Sequence, residues 1–328
     1  VDGTVFLRGP RYVLGEEELD HTELPDLAAK ADEYGLAPDA GLWGWGSVFR
    51  TRRGLGELAV DAGTATLRAT GTSPADVDAL VFCSTFVPGR PEGHGAFLRT
   101  VLTGIGLGDV PVYGLSLNRC VNLLAGIDVA YSLVAARRYR RILVVTADRV
   151  IDEADRITGY ALFSDGAAGC LITGDGGGDD GDVGDDGDRD DAYEVLGCAN
   201  AQETASLDWS AEISSDLARK VNESLLGPLA MKVTELDALL HANIFLPVLV
   251  MKERQAGFSR DQLNTANVTR VGHCFAADPV LNLADLEAAG GVRPGGHYLL
   301  ASSIPGSRLG VLLRKPAHEK QEAMLHAR

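Results

Sequence analysis

No two cysteines in this chain are spaced as Cys-x-x-Cys, and the five present (Cys83, Cys120, Cys170, Cys198, Cys274) are odd in number and scattered. That argues against a disulfide framework or a zinc site and fits a reducing, cytoplasmic setting. No apolar run reaches the roughly 18 residues that a membrane-spanning helix needs, and no basic segment followed by an apolar one opens the sequence, so neither a membrane anchor nor a secretory leader is expected. Positive charge is scarce: 30 Lys and Arg face 46 Asp and Glu, for a net charge of -16. A surface of that sign repels nucleic acid and anionic membranes.

What is present is a chain of 328 residues, 45% hydrophobic, long enough for one large domain or two halves of ordinary domain size. Half of the net charge lies in "DGGGDDGDVGDDGDRDD", residues 175–191, whose nine Asp and one Arg sum to -8. Glycine and like charge give this tract no reason to order, so a solvated, mobile and dispensable surface loop is expected there. A calcium site is the weaker reading, since the regular Gly-Gly-x-Gly-x-Asp repeat is missing. The tract divides the chain into an N-terminal half, 1–174, an acidic loop, 175–192, and a C-terminal half, 193–328.

Short apolar runs alternate with helical patterns. Strands are expected at 79–84, 142–146 and 167–173, the last after a tight Asp165-Gly166 turn. Helices are expected at 57–70 and 125–138. A further strand-like stretch, "NVTRV", precedes His273, and "HYLLASSIPGSRLGVLLRK" reads as a closing hairpin. Helix, acidic turn and buried strand recur as "ADVDALVF" and "TELDALLH", a hint of internal duplication.

In "YGLSLNRCVNLLAGIDVAYSLVAA" a strand hands over to a helix, with Cys120 at the seam. A thiol there points at the first helical N–H groups, whose partial positive charge favours thiolate and binds an oxyanion. The same position suits a small buried hydrophobe. A nucleophilic cysteine needs a base. His241, ending "TELDALLH", and His273, in "VGHCFAADP", are placed to converge with Cys120 at one edge of a layered structure. His21, His94, His297, His318 and His326 read as bystanders.

From about residue 54 to 315 the sequence resembles the beta-ketoacyl-ACP synthase III (KAS III) branch of the thiolase superfamily. "NRCVNL" is similar to the family's Ala-Cys-x-Gly-Phe motif, "FSDGAAG" to its Phe-Gly-Asp-Gly-Ala-Gly turn, "HANI" to its His-Gln-Ala-Asn motif and "GHCFAA" to its Gly-Asn-Thr-Ser-Ala-Ala motif. Each is weak alone, but the four occur in the right order and spacing. The resemblance implies an α/β fold of five layers, αβαβα, built from two related halves, and a homodimer. It implies ping-pong chemistry in which a CoA or acyl-carrier-protein thioester acylates Cys120, with His241 and His273 as catalytic partners, a small-molecule acceptor, and no metal or redox cofactor. It further places Arg50, Arg52 and Arg53 near the CoA nucleotide, with Trp43 or Trp45 available to stack on its adenine. A solvated basic turn and a packing role for the tryptophans are the competing readings.

Departures from the family pattern carry information too. The family's Asn position reads His273, giving Cys-His-His as in elongating ketosynthases, where two histidines stabilise an enolate oxygen. Alternatively His273 acts as a base toward an alcohol or amine. Asn122 and Leu123 replace the motif's Gly and Phe. The glycine-rich oxyanion loop appears as "SSIPGSR", leaving Ser303 and Gly306 as candidates, and Pro305 brings no N–H. These changes point to acyl transfer onto a hydroxyl or amine in specialised metabolism, of the polyketide or antibiotic kind. The alternatives are a decarboxylating ketosynthase that primes a polyketide and an inactive partner of an active homologue.

Overall fold

The computed structural model describes residues 3–86, 90–175 and 192–317. The acidic tract from residue 176 to 191, and His318 and His326, lie outside the described residues. Eleven strands are described: β1 (Val5–Leu14), β2 (Glu17–Asp20), β3 (Ser47–Arg50), β4 (Ala79–Cys83), β5 (Val112–Leu115), β6 (Arg141–Asp148), β7 (Gly166–Gly174), β8 (Ala192–Gln202), β9 (Ala238–His241), β10 (His297–Ile304) and β11 (Ser307–Arg314). The described α-helices are α1 (Leu27–Glu33), α2 (Ala40–Trp43), α3 (Leu55–Ala69), α4 (Pro91–Ile105), α5 (Asn122–Ala135), α6 (Ser215–Leu226), α7 (Leu246–Gln255), α8 (Ala266–Arg270) and α9 (Asp278–Ala288).

Nine strands join in the order β5-β4-β6-β7-β1-β8-β11-β10-β9, and β2 and β3 form a separate pair. The halves meet where β1 and β8 pair antiparallel over Phe6, Leu7 and Arg8. Outward from β1, the β7 and β6 steps are antiparallel and the β4 and β5 steps parallel. Outward from β8, the β11 and β10 steps are antiparallel and the β9 step parallel, and a parallel Leu239–Leu263 bridge stands where a fifth strand would. The repeated pattern is the duplication hinted at by the sequence.

Strand β4 is buried throughout, and β6 is buried from Ile142 onward. Continuous apolar runs of this kind need cover on both faces. Helices α3 and α4 cover the outer face of the first half, and α6 that of the second, backed by α7. Between the halves lie α5, which packs on β4, β6 and β7 and also on β8, β10 and β11, and α9, which packs on β1, β7, β9 and β10. Helix, sheet, helix, sheet, helix is the thiolase-like five-layer arrangement. Gly126 shows how tightly α5 is seated: a Cβ there would lie 2.6 Å from Cys83 Sγ. No helix among the described residues is long and apolar enough to cross a membrane.

Two local expectations need correction. "NVTRV" is helical, mostly α8, because its apolar Val268 and Val271 turn inward at helical spacing and are both buried. Asp165-Gly166 is not a tight turn: β7 already begins at Gly166, which pairs with Leu14. Asp165 is a buried hub whose carboxylate accepts from the backbone N–H groups of Thr51 and Val150 and from Arg156. Asp165 and Arg156 are each 1% exposed, and a buried charge persists only when paired and hydrogen-bonded like this.

Candidate active site

Both middle helices start at the same edge of the structure. The 3₁₀ turn Arg119–Val121 that leads into α5 touches the 3₁₀ turn Phe275–Ala277 that leads into α9. Cys120 sits in the first of these turns, 2% exposed. The residue before it, Arg119, has φ +52°, in the left-handed region, a conformation that an L side chain adopts at a cost and that recurs at functional sites. Asn122, where the resembled motif has glycine, braces the turn: its amide donates to the carbonyls of Ser84 and Ser116 and accepts from the Asn118 N–H.

His273 is held by a strand-like bridge. Its N–H donates to Leu162 O at 2.7 Å, and its carbonyl accepts from Ser164 N at 2.9 Å. On one side the imidazole is coupled electrostatically to the Cys120 sulfur. On the other, Nδ1 lies 2.5 Å from Asp278 Oδ2. The Asp278 carboxylate also accepts from the backbone N–H groups of Asn243, at 2.7 Å, and Cys274, at 2.7 Å. Cysteine, histidine and aspartate thus interact as a group, all three buried. Burial alone would push the imidazole pKa down, but Asp278 and the Cys120 sulfur outweigh it and raise His273 to about 10. The balance favours the protonated ring, held at Nδ1 by Asp278.

His241 is different. Its Nδ1 lies 2.9 Å from the Ala242 carbonyl, so the ring proton sits on Nδ1. Its Nε2 faces Ser303 Oγ at 3.3 Å and Glu253 at 3.5 Å. Arg308 binds the Glu253 carboxylate and Ser303 Oγ, closing a buried network behind the ring. Burial lowers the His241 pKa to about 4, Glu253 opposing and Arg308 reinforcing the effect.

A sequence model of the family described as 3-oxoacyl-[acyl-carrier-protein (ACP)] synthase III matches residues 116–185, which include Cys120. The beta-ketoacyl-[acyl-carrier-protein] synthase III 3 of Streptomyces coelicolor is 26% identical over 267 residues, covering 75% of this chain and 78% of that protein. The chain is thus similar to KAS III-like enzymes of the thiolase superfamily. Among solved structures, 3-oxoacyl-[acyl-carrier-protein] synthase III from Aquifex aeolicus VF5 superposes with TM-score 0.75 at 17% identity, over 94% of this chain and 99% of that one. ChlB3, described as an acyltransferase, superposes with TM-score 0.76 at 16% identity, over 96% and 98%. At such identities the two structures speak to the fold.

The other residues singled out in the sequence are placed as follows. Arg50 pairs with Glu17 at 2.8 Å, and Arg53 with Asp61 at 2.6 Å, so both expected phosphate ligands already have carboxylate partners. Arg52 is largely exposed, 3.8 Å from Glu17. Trp43 donates Nε1–H to Ala37 O and packs on Phe245, and buried Trp45 packs on the same ring, which favours the packing role for both. Ser303 lies inside β10 and its hydroxyl serves His241 and Arg308. Gly306 lies in the β10–β11 turn with φ +69°, and a Cβ there would meet Ser206 O at 2.6 Å. Its carbonyl accepts from Glu203 N. His21 packs near Trp45, His94 lies in α4 and His297 opens β10. Burial raises the thiols of Cys83, Cys170, Cys198 and Cys274.

The shifts of the site histidines make stability pH-dependent. Between about pH 6.5 and 4 an unfolded chain protonates His241 while the folded one keeps it neutral, so stability falls as pH falls. His273 works in the other window: its support is complete below about 6.5 and is lost as pH rises toward 10. Buried Asp148, raised to about 7 by desolvation against hydrogen bonds from Thr85 and Ser84, gives the opposite slope to His241 below pH 7. Denaturant curves of wild type and His241→Gln isolate the His241 part. Wild type should lose about 2–3 kcal/mol more than the variant between pH 7 and 4.5. Parallel pH profiles would mean that the ring is charged in the fold.

Proposed function

We propose that Cys120 takes an acyl group from a CoA or acyl-carrier-protein thioester and delivers it to an acceptor hydroxyl or amine. The similarity to KAS III enzymes supports an acyl-transferring or condensing enzyme. The choice between these rests on one observation: the buried imidazole of His241 has its single ring proton committed to the Ala242 carbonyl, with Ser303 and Glu253 at the other nitrogen. It has no N–H to offer an enolate oxygen, so a two-histidine decarboxylation site is poorly supported. His273, backed by Asp278, has the arrangement of a general acid–base relay.

In the first half-reaction the Cys120 sulfur attacks the thioester carbonyl. The acyl–sulfur bond to the donor breaks as the Cys120–acyl bond forms, and the donor leaves as a thiol carrying the proton that His273 held. Acylation removes the Cys120 contribution that raises His273, and the imidazole that has given up its proton then serves as the base. It then accepts the proton of the acceptor O–H or N–H as that atom attacks the acyl carbon. The Cys120 sulfur departs, and the cycle closes without a net change of protons.

Intact-protein mass after incubation with a set of acyl-CoAs tests this reading. Wild type should gain one acyl group and Cys120→Ala none. A gain in the alanine variant would place the acyl group on another residue. Adding a malonyl thioester and then candidate alcohols and amines separates the two reactions: release of CO2 from the malonyl donor with a condensed product would return the protein to the ketosynthases.

A further inference from the structure

The residue beside the nucleophilic position holds a cation in an acidic protein. Arg119 occupies the alanine position of the resembled motif. Its guanidinium lies over the Trp209 ring, 4.5 Å from the centroid, and donates once, through Nη2 to the Pro305 carbonyl at 2.9 Å. A guanidinium carries five N–H donors. Among the described residues no carboxylate stands within ion-pair distance of it, whereas Arg50, Arg53, Arg156, Arg270 and Arg308 are each paired with one. Trp209 also stacks on Tyr160, with centroids 5.6 Å apart and planes 18° apart. Tyr160 is the common neighbour of both groups: burial and the Cys120 sulfur raise its hydroxyl pKa, and Arg119 pulls it back. Arg119 and the Cys120 sulfur are therefore both close enough to Tyr160 to act on its charge.

We propose that Arg119 reads a carboxylate on the acyl group, so that the preferred donor is a monothioester of a dicarboxylic acid. This rests on the reading of Cys120 as the acyl carrier. Consecutive Cα atoms are about 3.8 Å apart, and the Arg119 guanidinium contacts Pro305, in the turn after the strand whose Ser302 hydroxyl donates to the Cys120 carbonyl, so an anion gripped by Arg119 is held in the neighbourhood of the acyl-bearing residue. That placement suits the far end of a short acyl chain and not the CoA phosphates, which sit at the opposite end of the pantetheine arm. Guanidinium and carboxylate match as a planar, bidentate pair. The Trp209 stack and the Pro305 contact hold the guanidinium in place before the acyl group arrives, and pre-organisation of this kind reduces the entropy lost on binding.

The test uses the full chain with glutaryl-CoA and valeryl-CoA, five-carbon acyl groups that differ by a terminal carboxylate against a methyl. The readout is the ratio of Cys120 acylation rates by intact mass. In wild type, glutaryl should lead by about 10- to 100-fold, the worth of one charge-assisted hydrogen-bonded pair. In Arg119→Gln the ratio should fall to about one, and Arg119→Lys should keep part of it. Equal rates in wild type, or a ratio that survives in Arg119→Gln while both rates drop together, would overturn the proposal and leave Arg119 as a brace for the Pro305 turn. If no thioester charges wild-type Cys120 at all, the acyl-carrier reading falls first, and this proposal with it.

Discussion

Asp278→Asn is expected to slow turnover by on the order of 1,000- to 10,000-fold with little change in fold, as loss of the acid in a nucleophile–histidine–acid relay does. The Asp278 carboxylate meets His273 Nδ1 and two backbone N–H groups at once. An amide has the same shape but half the acceptor capacity and no charge. With the charge gone, the strongest upward influence on His273 is lost and burial dominates, so its pKa falls from about 10. The ionisation that controls the rate should move to lower pH with it. Single-turnover acylation across a pH series reads both effects, and a melting curve controls for folding. If the rate falls less than about tenfold and the pH profile stays where it was, Asp278 only anchors the start of α9.

His273→Asn is expected to cost about 100- to 10,000-fold, the usual range for loss of a general acid or base, in both half-reactions. On sequence alone His273 could be assigned to the acceptor side only, leaving self-acylation of Cys120 largely intact. The electrostatic coupling of His273 to the Cys120 sulfur changes that expectation, because the same imidazole gives its proton to the departing donor thiol in the first step and receives the acceptor proton in the second. Timed intact-mass measurements separate loading of Cys120 from its discharge. Undiminished turnover in His273→Asn, accompanied by malonyl decarboxylation, would sink the acyl-transfer reading, since an amide can donate to an enolate but cannot remove a proton near neutral pH.

Much of this was legible locally. Cys120 stands where a strand pattern gives way to good helix formers, and the helix that follows begins two residues later. His241 ends a short buried strand as its apolar run indicated. The runs in β4, β6 and β7 announced strands covered on both faces. These are signals of period and composition within a dozen residues, and local backbone preference and burial are enough to produce them.

What escaped the sequence depends on which side chains meet across long stretches of chain. Asp278 carried a readable mark, an acidic residue before Pro279 at a helix start. Nothing in that mark says that its carboxylate meets His273. Arg50 and Arg53 looked free for phosphates because their partners Glu17 and Asp61 are assigned only when β3 pairs with β2 and α3 forms beside them. The two histidines looked equivalent, each expected at the end of a strand. One in fact follows a helix and faces Cys120, and the other faces Glu253 and Ser303. A propensity is a property of a segment. An ion pair, the proton on a ring nitrogen, or a pKa of about 4 against one of about 10 is a property of the neighbours that tertiary packing brings and the water it removes.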